Sequence, residues 1–246
     1  MAKIVIKFPT RSRPDKFKKV FEKSINFLSG KHDVRYVVSM DTDDESMNNE
    51  DIRSWFEGLK SKGVDIKYAY GNSKTKIEAC NADMEGETGD ILILMSDDMV
   101  PCMEGYDDII AMGFAQCFPD YVGAIKFNDG LRGPEDLLMT LPVLGFPLFE
   151  AMGHIYHPDY TSLYCDTEMT ALFSKMGMLA VSPTCIIRHE WLPGDHPDAD
   201  ELHQRNENAE MYGKDGEVYQ ARMQNDFDMK LVKERLDAKG LISTQT

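Results

Sequence analysis

Residues 91–98 read Ile91-Leu92-Ile93-Leu94-Met95-Ser96-Asp97-Asp98. Five apolar side chains in a row leave no polar face, so the segment predicts a short strand buried on both sides, as in a parallel sheet. The chain then emerges directly into two adjacent carboxylates, which places Asp97 and Asp98 at the sheet edge. Adjacent carboxylates repel unless a cation lies near them, and a divalent metal that bridges a diphosphate needs oxygen ligands of this kind. An Asp pair that caps a turn before Pro101 accounts for the same residues without any metal.

Strand and helix patterns alternate upstream of this segment. Residues 3–8 read as a strand and 15–28 as a helix, with Phe17, Val20, Phe21, Ile25 and Leu28 at helical spacing before Gly30. Residues 34–40 and 65–70 predict two further strands, and 49–62 and 73–84 two further helices. Such alternation implies an α/β fold with a mostly parallel central sheet and helices on both faces. In sheets of this type ligands bind beyond the carboxyl ends of the strands. Each of those ends is polar here: Thr10-Arg11-Ser12-Arg13, Asp41-Thr42-Asp43-Asp44, Gly71-Asn72-Ser73-Lys74 and Ser96-Asp97-Asp98. Their convergence points to a nucleotide site.

The second half is less regular. It predicts helices over 106–118 and 166–176, strands over 122–127, 178–182 and 186–189, and a final helix over 217–239. Residues 128–162, rich in Gly and Pro, read as loops and short strands over the site, and the polar stretch 190–214 reads as a mobile loop or lid. With no internal repeat and no linker, residues 1–246 read as one domain, with a donor half over 1–101 and an acceptor half over 102–246.

Composition bounds the reading. The chain has 246 residues, 42% hydrophobic and 28% charged, which is ordinary for a globular protein with a well-buried core. No run approaches the roughly 18 apolar residues of a membrane span, and the N-terminus lacks a signal-peptide pattern, so a cytoplasmic protein is expected. Five cysteines (Cys80, Cys102, Cys117, Cys165 and Cys185) lie far apart, an odd count without a CxxC pair, which argues against a disulfide framework or a structural zinc site. A net charge of −15 disfavours binding nucleic acid by charge alone. Yet residues 3–23 hold Lys3, Lys7, Arg11, Arg13, Lys16, Lys18, Lys19 and Lys23 against Asp15 and Glu22. A basic face that meets phosphates and a solvated helix face both fit that run.

Three further groups could carry chemistry. His189, at the end of an apolar strand, reads alone as structural more often than as a ligand, but with Asp97 and Asp98 it completes a mixed oxygen and nitrogen site. Its neighbour Arg188 is a fork donor suited to phosphate. Asp166, at a helix start, reads as an N-cap or as a carboxylate able to take a proton from an acceptor hydroxyl.

In order and spacing, these pieces resemble the GT-A fold (the nucleotide-diphospho-sugar transferase fold), and glycosyltransferase family 2 within it. The matching segments are Phe8-Pro9-Thr10-Arg11, Asp41 to Asp44, KTKIEACN over 74–81, DILILMSDDMVP over 90–101, Asp166-Thr167-Glu168 and Arg188-His189-Glu190-Trp191. The resemblance implies that Pro9 and Thr10 shape the loop under the nucleobase, with Arg11 beside them a donor-binding candidate, and that Asp41 bonds a uracil-like base. It implies that Lys76 and Asn81 hold the base or diphosphate side of the donor, beside which Arg188 is a further candidate by its own chemistry. Asp98, with Asp97 and His189, would hold Mn2+ or Mg2+, with Asp97 also a candidate for the ribose. Asp166 would be the catalytic base of an inverting reaction, with Glu168 competing for that role. The sequence departs from the usual Asp-x-Asp, having Met95-Ser96-Asp97 followed by Asp98.

The function implied is a metal-dependent glycosyltransferase, moving a hexose or pentose from a nucleotide sugar, UDP-sugar foremost, to an acceptor hydroxyl. Without membrane helices a lipid-linked acceptor is disfavoured. The compact form is similar to small bacteriophage glycosyltransferases, some of which modify DNA, so a hydroxymethylated base is one expected acceptor. A glycan or small molecule recognised by Tyr156, Tyr160, Tyr164 and Trp191 is the other. A nucleotidyltransferase is disfavoured because Pro9-Thr10-Arg11-Ser12-Arg13 contains no glycine, and a non-catalytic nucleotide- or glycan-binding module remains a third reading.

Overall fold

The structure is a computed structural model that describes residues 1–133, 135–192, 196–197 and 200–243. The elements run β1 (Lys3–Pro9), α1 (Pro14–Asn26), β2 (Asp33–Asp41), α2 (Glu50–Ser61), β3 (Asp65–Gly71), α3 (Lys76–Asn81), β4 (Ile91–Leu94) and β5 (Met99–Pro101). They continue with α4 (Tyr106–Cys117), β6 (Ala124–Phe127), β7 (Val143–Gly145), α5 (Phe146–Met152), α6 (Cys165–Met176), β8 (Leu179–Ser182), β9 (Ile187–His189), α7 (Glu201–Asn206), α8 (Ala209–Gln224) and α9 (Met229–Ala238).

Seven strands form one sheet in the order β3-β2-β1-β4-β7-β6-β8. β3, β2, β1 and β4 are parallel, β7 is antiparallel to both its neighbours, and β6 and β8 are parallel. The expected mostly parallel α/β sheet is therefore present. Side-chain alternation explains why both faces are covered. On β4, Ile91 and Ile93 enter one apolar cluster while Leu92 and Leu94 enter the other; on β1, Ile4, Ile6 and Phe8 face the first and Val5 the second. The first cluster packs under α1, α2 and α4 through Phe17, Phe21, Phe56 and Phe114, and the second packs under α5, α6 and α9.

Local chemistry sets the helix starts that matter for the site. Pro14 opens α1. Asn49 and Thr75 cap α2 and α3 by accepting from the amides of Ile52 and Glu78. Tyr164 turns the chain into α6 with a left-handed φ of 60°.

Three parts of the second half differ from the sequence reading. The stretch 128–162 holds a short strand as expected, β7, but within the central sheet between β4 and β6 rather than over the site, and it also holds the helix α5. Within 190–214, α7 and the first turns of α8 are helical, capped by Asp200 and Asn208; residues 193–195 and 198–199 lie outside the described residues. The expected single helix over 217–239 is two helices. Asp226, Phe227 and Asp228 all take φ near +55° and break it, and Phe227, 2% exposed, is driven into the core there.

Candidate active site

A cavity of about 400 Å3 opens beyond the carboxyl ends of β1, β2 and β4. Its walls come from four strand ends, the α3 start, the 161–167 turn and α7. Of the residues read from sequence, Pro9, Thr10, Arg11, Asp41, Lys76, Asp97, Asp98, Asp166 and His189 all line it. Asn81, Glu168 and Arg188 lie outside its walls.

The end of the cavity beyond β1 and β2 is a network of ion pairs. Arg11 binds Asp41 at 2.8 Å and Asp43 at 2.6 Å, and Asp41 also accepts the Ser73 amide at 3.0 Å. The Thr10 amide donates to the Ser39 carbonyl, and its buried hydroxyl has no partner among the described residues. The carboxyl end of β2 is thus held to the loops after β1 and β3.

At the β4 end the two carboxylates face different partners. Asp97, 4% exposed, accepts from the Arg13 guanidinium at 2.9 Å. Burial, with Asp98 beside it, raises its carboxyl above the ordinary value although Arg13 opposes this. Asp98 accepts from the Ser96 hydroxyl and stands 3.6 Å from His189 Nε2, beyond hydrogen-bond length. Burial would raise Asp98, but His189, Ser96 and Lys76 outweigh it and hold the carboxyl well below its usual range.

His189 is placed by β9, whose pairing with β5 sets Met99 opposite it. Its amide donates to the Asp129 carbonyl at 2.8 Å, and the Glu190 amide donates to the Asp98 carbonyl at 2.7 Å. His189 Nδ1 is buried and without a partner among the described residues. No group of three or more His, Cys, Asp or Glu side chains among the described residues is arranged to hold a metal. Asp98 and His189 nonetheless offer one oxygen and one nitrogen across an open gap. That donor set suits an ion whose remaining ligands arrive on a diphosphate.

Lys76 reaches into the cavity's solvent yet is ringed by protein. Those surroundings alone would lower its ammonium, but Cys165, Cys80, Asp166 and Asp98 outweigh them and raise it. Asp166 lies in the first turn of α6, its carboxylate accepting the Thr167 amide at 2.8 Å.

The three expected residues outside the cavity have visible structural work. Asn81 accepts the Ile155 and Tyr156 amides and donates to the Tyr156 carbonyl. Glu168 is bound by Arg222 and Tyr160. Arg188 lies on an exposed position of β9, its stem against Gly130.

The basic residues of 3–23 do not form one face. Lys7 is fully buried and bonded to Ser39, Lys3 bonds Thr88, and Arg11 and Arg13 are neutralised inside the cavity. Four lysines of α1 remain, with Lys18 over the Trp55 ring and Lys23 over Phe27.

Two carboxylates that sequence reading missed organise the site from behind. Asp215 on α8, fully buried, accepts the amides of Thr161, Ser162 and Leu163 at 2.7–2.9 Å and so shapes the turn that delivers Asp166. Asp129 accepts the Leu131 and Arg132 amides and the Thr140 hydroxyl, while its own carbonyl holds His189. Both stand in polar stretches where nothing local distinguishes them from solvated acids.

No protein-family model matches the sequence, and no curated protein sequence matches it. Solved structures do. The fold is similar to a mannosyltransferase from Pyrobaculum calidifontis in complex with GDP-Man and Mn2+, with a TM-score of 0.61 at 14% identity over 99% of this chain and 76% of that one. It is similar to residues 1–349 of S. aureus TarS in complex with UDP-GlcNAc (TM-score 0.57, 12% identity, 78% of this chain and 62% of that one). It is also similar to glucosyl-3-phosphoglycerate synthase from Mycobacterium tuberculosis in complex with Mn2+, UDP and phosphoglyceric acid (TM-score 0.53, 13% identity, 79% and 72%). The chain therefore has the GT-A type of fold. Among the described residues, no helix is long and apolar enough to cross a membrane.

Proposed function

We propose that this chain transfers a glycosyl group from a nucleoside-diphosphate sugar, a UDP-sugar foremost, to an acceptor hydroxyl. The observation that carries the reading is the meeting of Lys76, Asp98, His189 and Asp166 around one cavity at the carboxyl end of the parallel strands. Solved structures of the same fold hold UDP-GlcNAc or GDP-Man.

The nucleoside lies against Pro9, Thr10, Arg11 and Asp41, with Asp97 toward the ribose, and the diphosphate lies toward Lys76. Asp98 and His189 would hold Mn2+ or Mg2+, which supplies positive charge beside the diphosphate. As the bond between sugar and diphosphate breaks, negative charge grows on the leaving phosphate. The Lys76 ammonium stabilises that charge. The acceptor oxygen forms the new glycosidic bond and its proton passes to the Asp166 carboxylate.

For the acceptor we assign a glycan or small-molecule hydroxyl. Tyr164, Trp191 and Tyr212 line the same cavity as Asp166, and aromatic side chains of this kind suit the apolar face of a sugar. The DNA alternative loses its main support with the dispersal of the basic run.

The test is release of nucleoside diphosphate from a panel of nucleotide sugars, with and without Mn2+, in the parent and in Asp98→Asn. Metal-stimulated release by the parent, removed by a chelator and by the substitution, is the expected result. Full turnover in the thoroughly chelated parent overturns the metal assignment. Absence of binding and release for every nucleotide sugar overturns the reading as a whole.

A further inference from the structure

The five cysteines are dispersed in sequence, yet two of them meet. Cys102 and Cys185, 83 positions apart, bring their sulfurs to 3.7 Å, and Cys102 Sγ also donates to the Cys185 carbonyl at 3.3 Å. Cys102 is exposed and Cys185 half-buried; both are free thiols. They sit at one end of the two-stranded β5–β9 ribbon. Pro101 pairs with Ile187, and the Cys102 amide continues the ladder to the Ile186 carbonyl at 2.9 Å. The other end of the ribbon sets Met99 opposite His189, next to Asp98. Each strand of the ribbon has three residues, and an isolated ribbon of that size has little stability of its own.

We propose that Cys102 and Cys185 form a reversible disulfide by exchange with a low-molecular-weight disulfide such as oxidised glutathione. The backbone ladder already fixes the two strands side by side, so the sulfurs need only close from 3.7 Å to about 2.0 Å by side-chain rotation. Burial and the contact with Cys102 push the Cys185 thiol up, which leaves the exposed Cys102 as the attacking group. Its thiolate attacks one sulfur of glutathione disulfide, forming a mixed disulfide and releasing one glutathione thiolate, which takes up the proton. Cys185 then loses its proton, attacks the Cys102 sulfur and releases the second glutathione. Two protein thiols are oxidised and one glutathione disulfide is reduced to two thiols.

The product closes a long loop and staples the ribbon at the end opposite Asp98 and His189. Restricting the unfolded chain in this way stabilises the native state. The other three cysteines are placed differently: Cys80 and Cys165 are buried, and Cys117 is exposed at the end of α4.

The test incubates the full chain with oxidised glutathione at low protein concentration and reads intact mass, a non-reducing peptide map and the melting temperature. Expected are the loss of two hydrogens, one cross-linked peptide joining Cys102 to Cys185, and a raised melting temperature, all reversed by dithiothreitol. Cys117→Ser should behave like the parent. Cys102→Ser should lose the cross-link and the thermal shift. A stable glutathione adduct without ring closure, a bond to any other cysteine, or a melting temperature that falls on oxidation would each overturn the proposal. None of these readouts requires glycosyl transfer.

Discussion

The Arg222 guanidinium grips the Glu168 carboxylate at two points, Nε to Oε2 and Nη2 to Oε1, each at 2.7 Å, and so ties α8 to α6. Both side chains are nearly buried, at 11% and 6% exposure. Glu168 therefore stands two residues from Asp166 in sequence while serving a different purpose. Removing Glu168 leaves Arg222 with only its 3.0 Å contact to the half-exposed Asp228, a cost below the ~3–5 kcal/mol of a fully uncompensated buried charge. Glu168→Gln should lower the melting temperature markedly and, below that temperature, retain turnover. Asp166→Asn should do the reverse, with donor affinity little changed because the proposed base acts on the acceptor. The paired thermal and kinetic measurements decide the assignment. An inactive but thermally unaltered Glu168→Gln would exchange the two roles.

Arg13 joins the β4 end to α7. Besides Asp97, it binds Asp200 at 2.6 Å through Nε, and Asp200 is the residue that caps α7. Arg13→Ala should release α7 from the cavity wall while leaving the core intact. Faster proteolytic cleavage within 200–207 is the expected outcome, together with a lower melting temperature, because Asp97 stays nearly buried after losing its partner. Unchanged cleavage would mean that Trp191, bonded to Glu207, and Arg205, bonded to the Lys74 carbonyl, hold the segment without Arg13.

Lys7 is fully buried in β1, and burial pushes its ammonium down to about 8, with Asp83 offsetting only part of the effect. Below pH 8 both native and unfolded chains carry the proton, and the burial penalty on the charge is present in full. Between about 8 and 10.5 the native chain has released the proton while the unfolded chain still holds it. Stability contributed by this group therefore rises with pH across that window, by about 3 kcal/mol in total. Denaturant unfolding of the parent and Lys7→Met from pH 7 to pH 10.5 should show the difference moving in favour of the parent. A constant difference would contradict the burial argument.

Gly145 ends β7 where the sheet passes the Tyr121 turn. A Cβ there would fall 1.6 Å from the Tyr121 carbonyl oxygen, a backbone atom that cannot rotate away. Gly145→Ala should cost about 3 kcal/mol or more and give little folded protein. Gly58, where the added atom meets nothing within 4 Å, is the control. Gly58→Ala, in the middle of α2, should be neutral or stabilising by about 0.5–1 kcal/mol.

The parallel half of the sheet was legible because its signals are local. Ile91 to Leu94 and the strands over 3–8, 34–40 and 65–70 carry their own apolar patterns, and the polar residues that follow each of them fall at the sheet edge by geometry alone. The position of the antiparallel β7 and the short β5 were not legible, and the strand read over 186–189 gave no sign of its partner β5. Each of those strands is three residues long, and what stabilises it is a partner 40 or more residues away rather than any period of its own.

The amino-acid sequence by itself therefore determined the alternation of strand and helix and the list of polar groups at the strand ends. It carried enough order and spacing to suggest the GT-A type of fold. Only the tertiary structure decided which charges are available. Arg11, Arg13 and Lys7 read alike along the chain, but two are neutralised in a cavity and one is shut in the core. Likewise Asp166 and Glu168, two residues apart on one helix, separate into a cavity carboxylate and half of an ion pair, while Asp129 and Asp215 became structural only once buried amides surrounded them. The physical reason is the same in each case: a charged group is defined by its solvation and its partners, and both are set by residues distant in sequence.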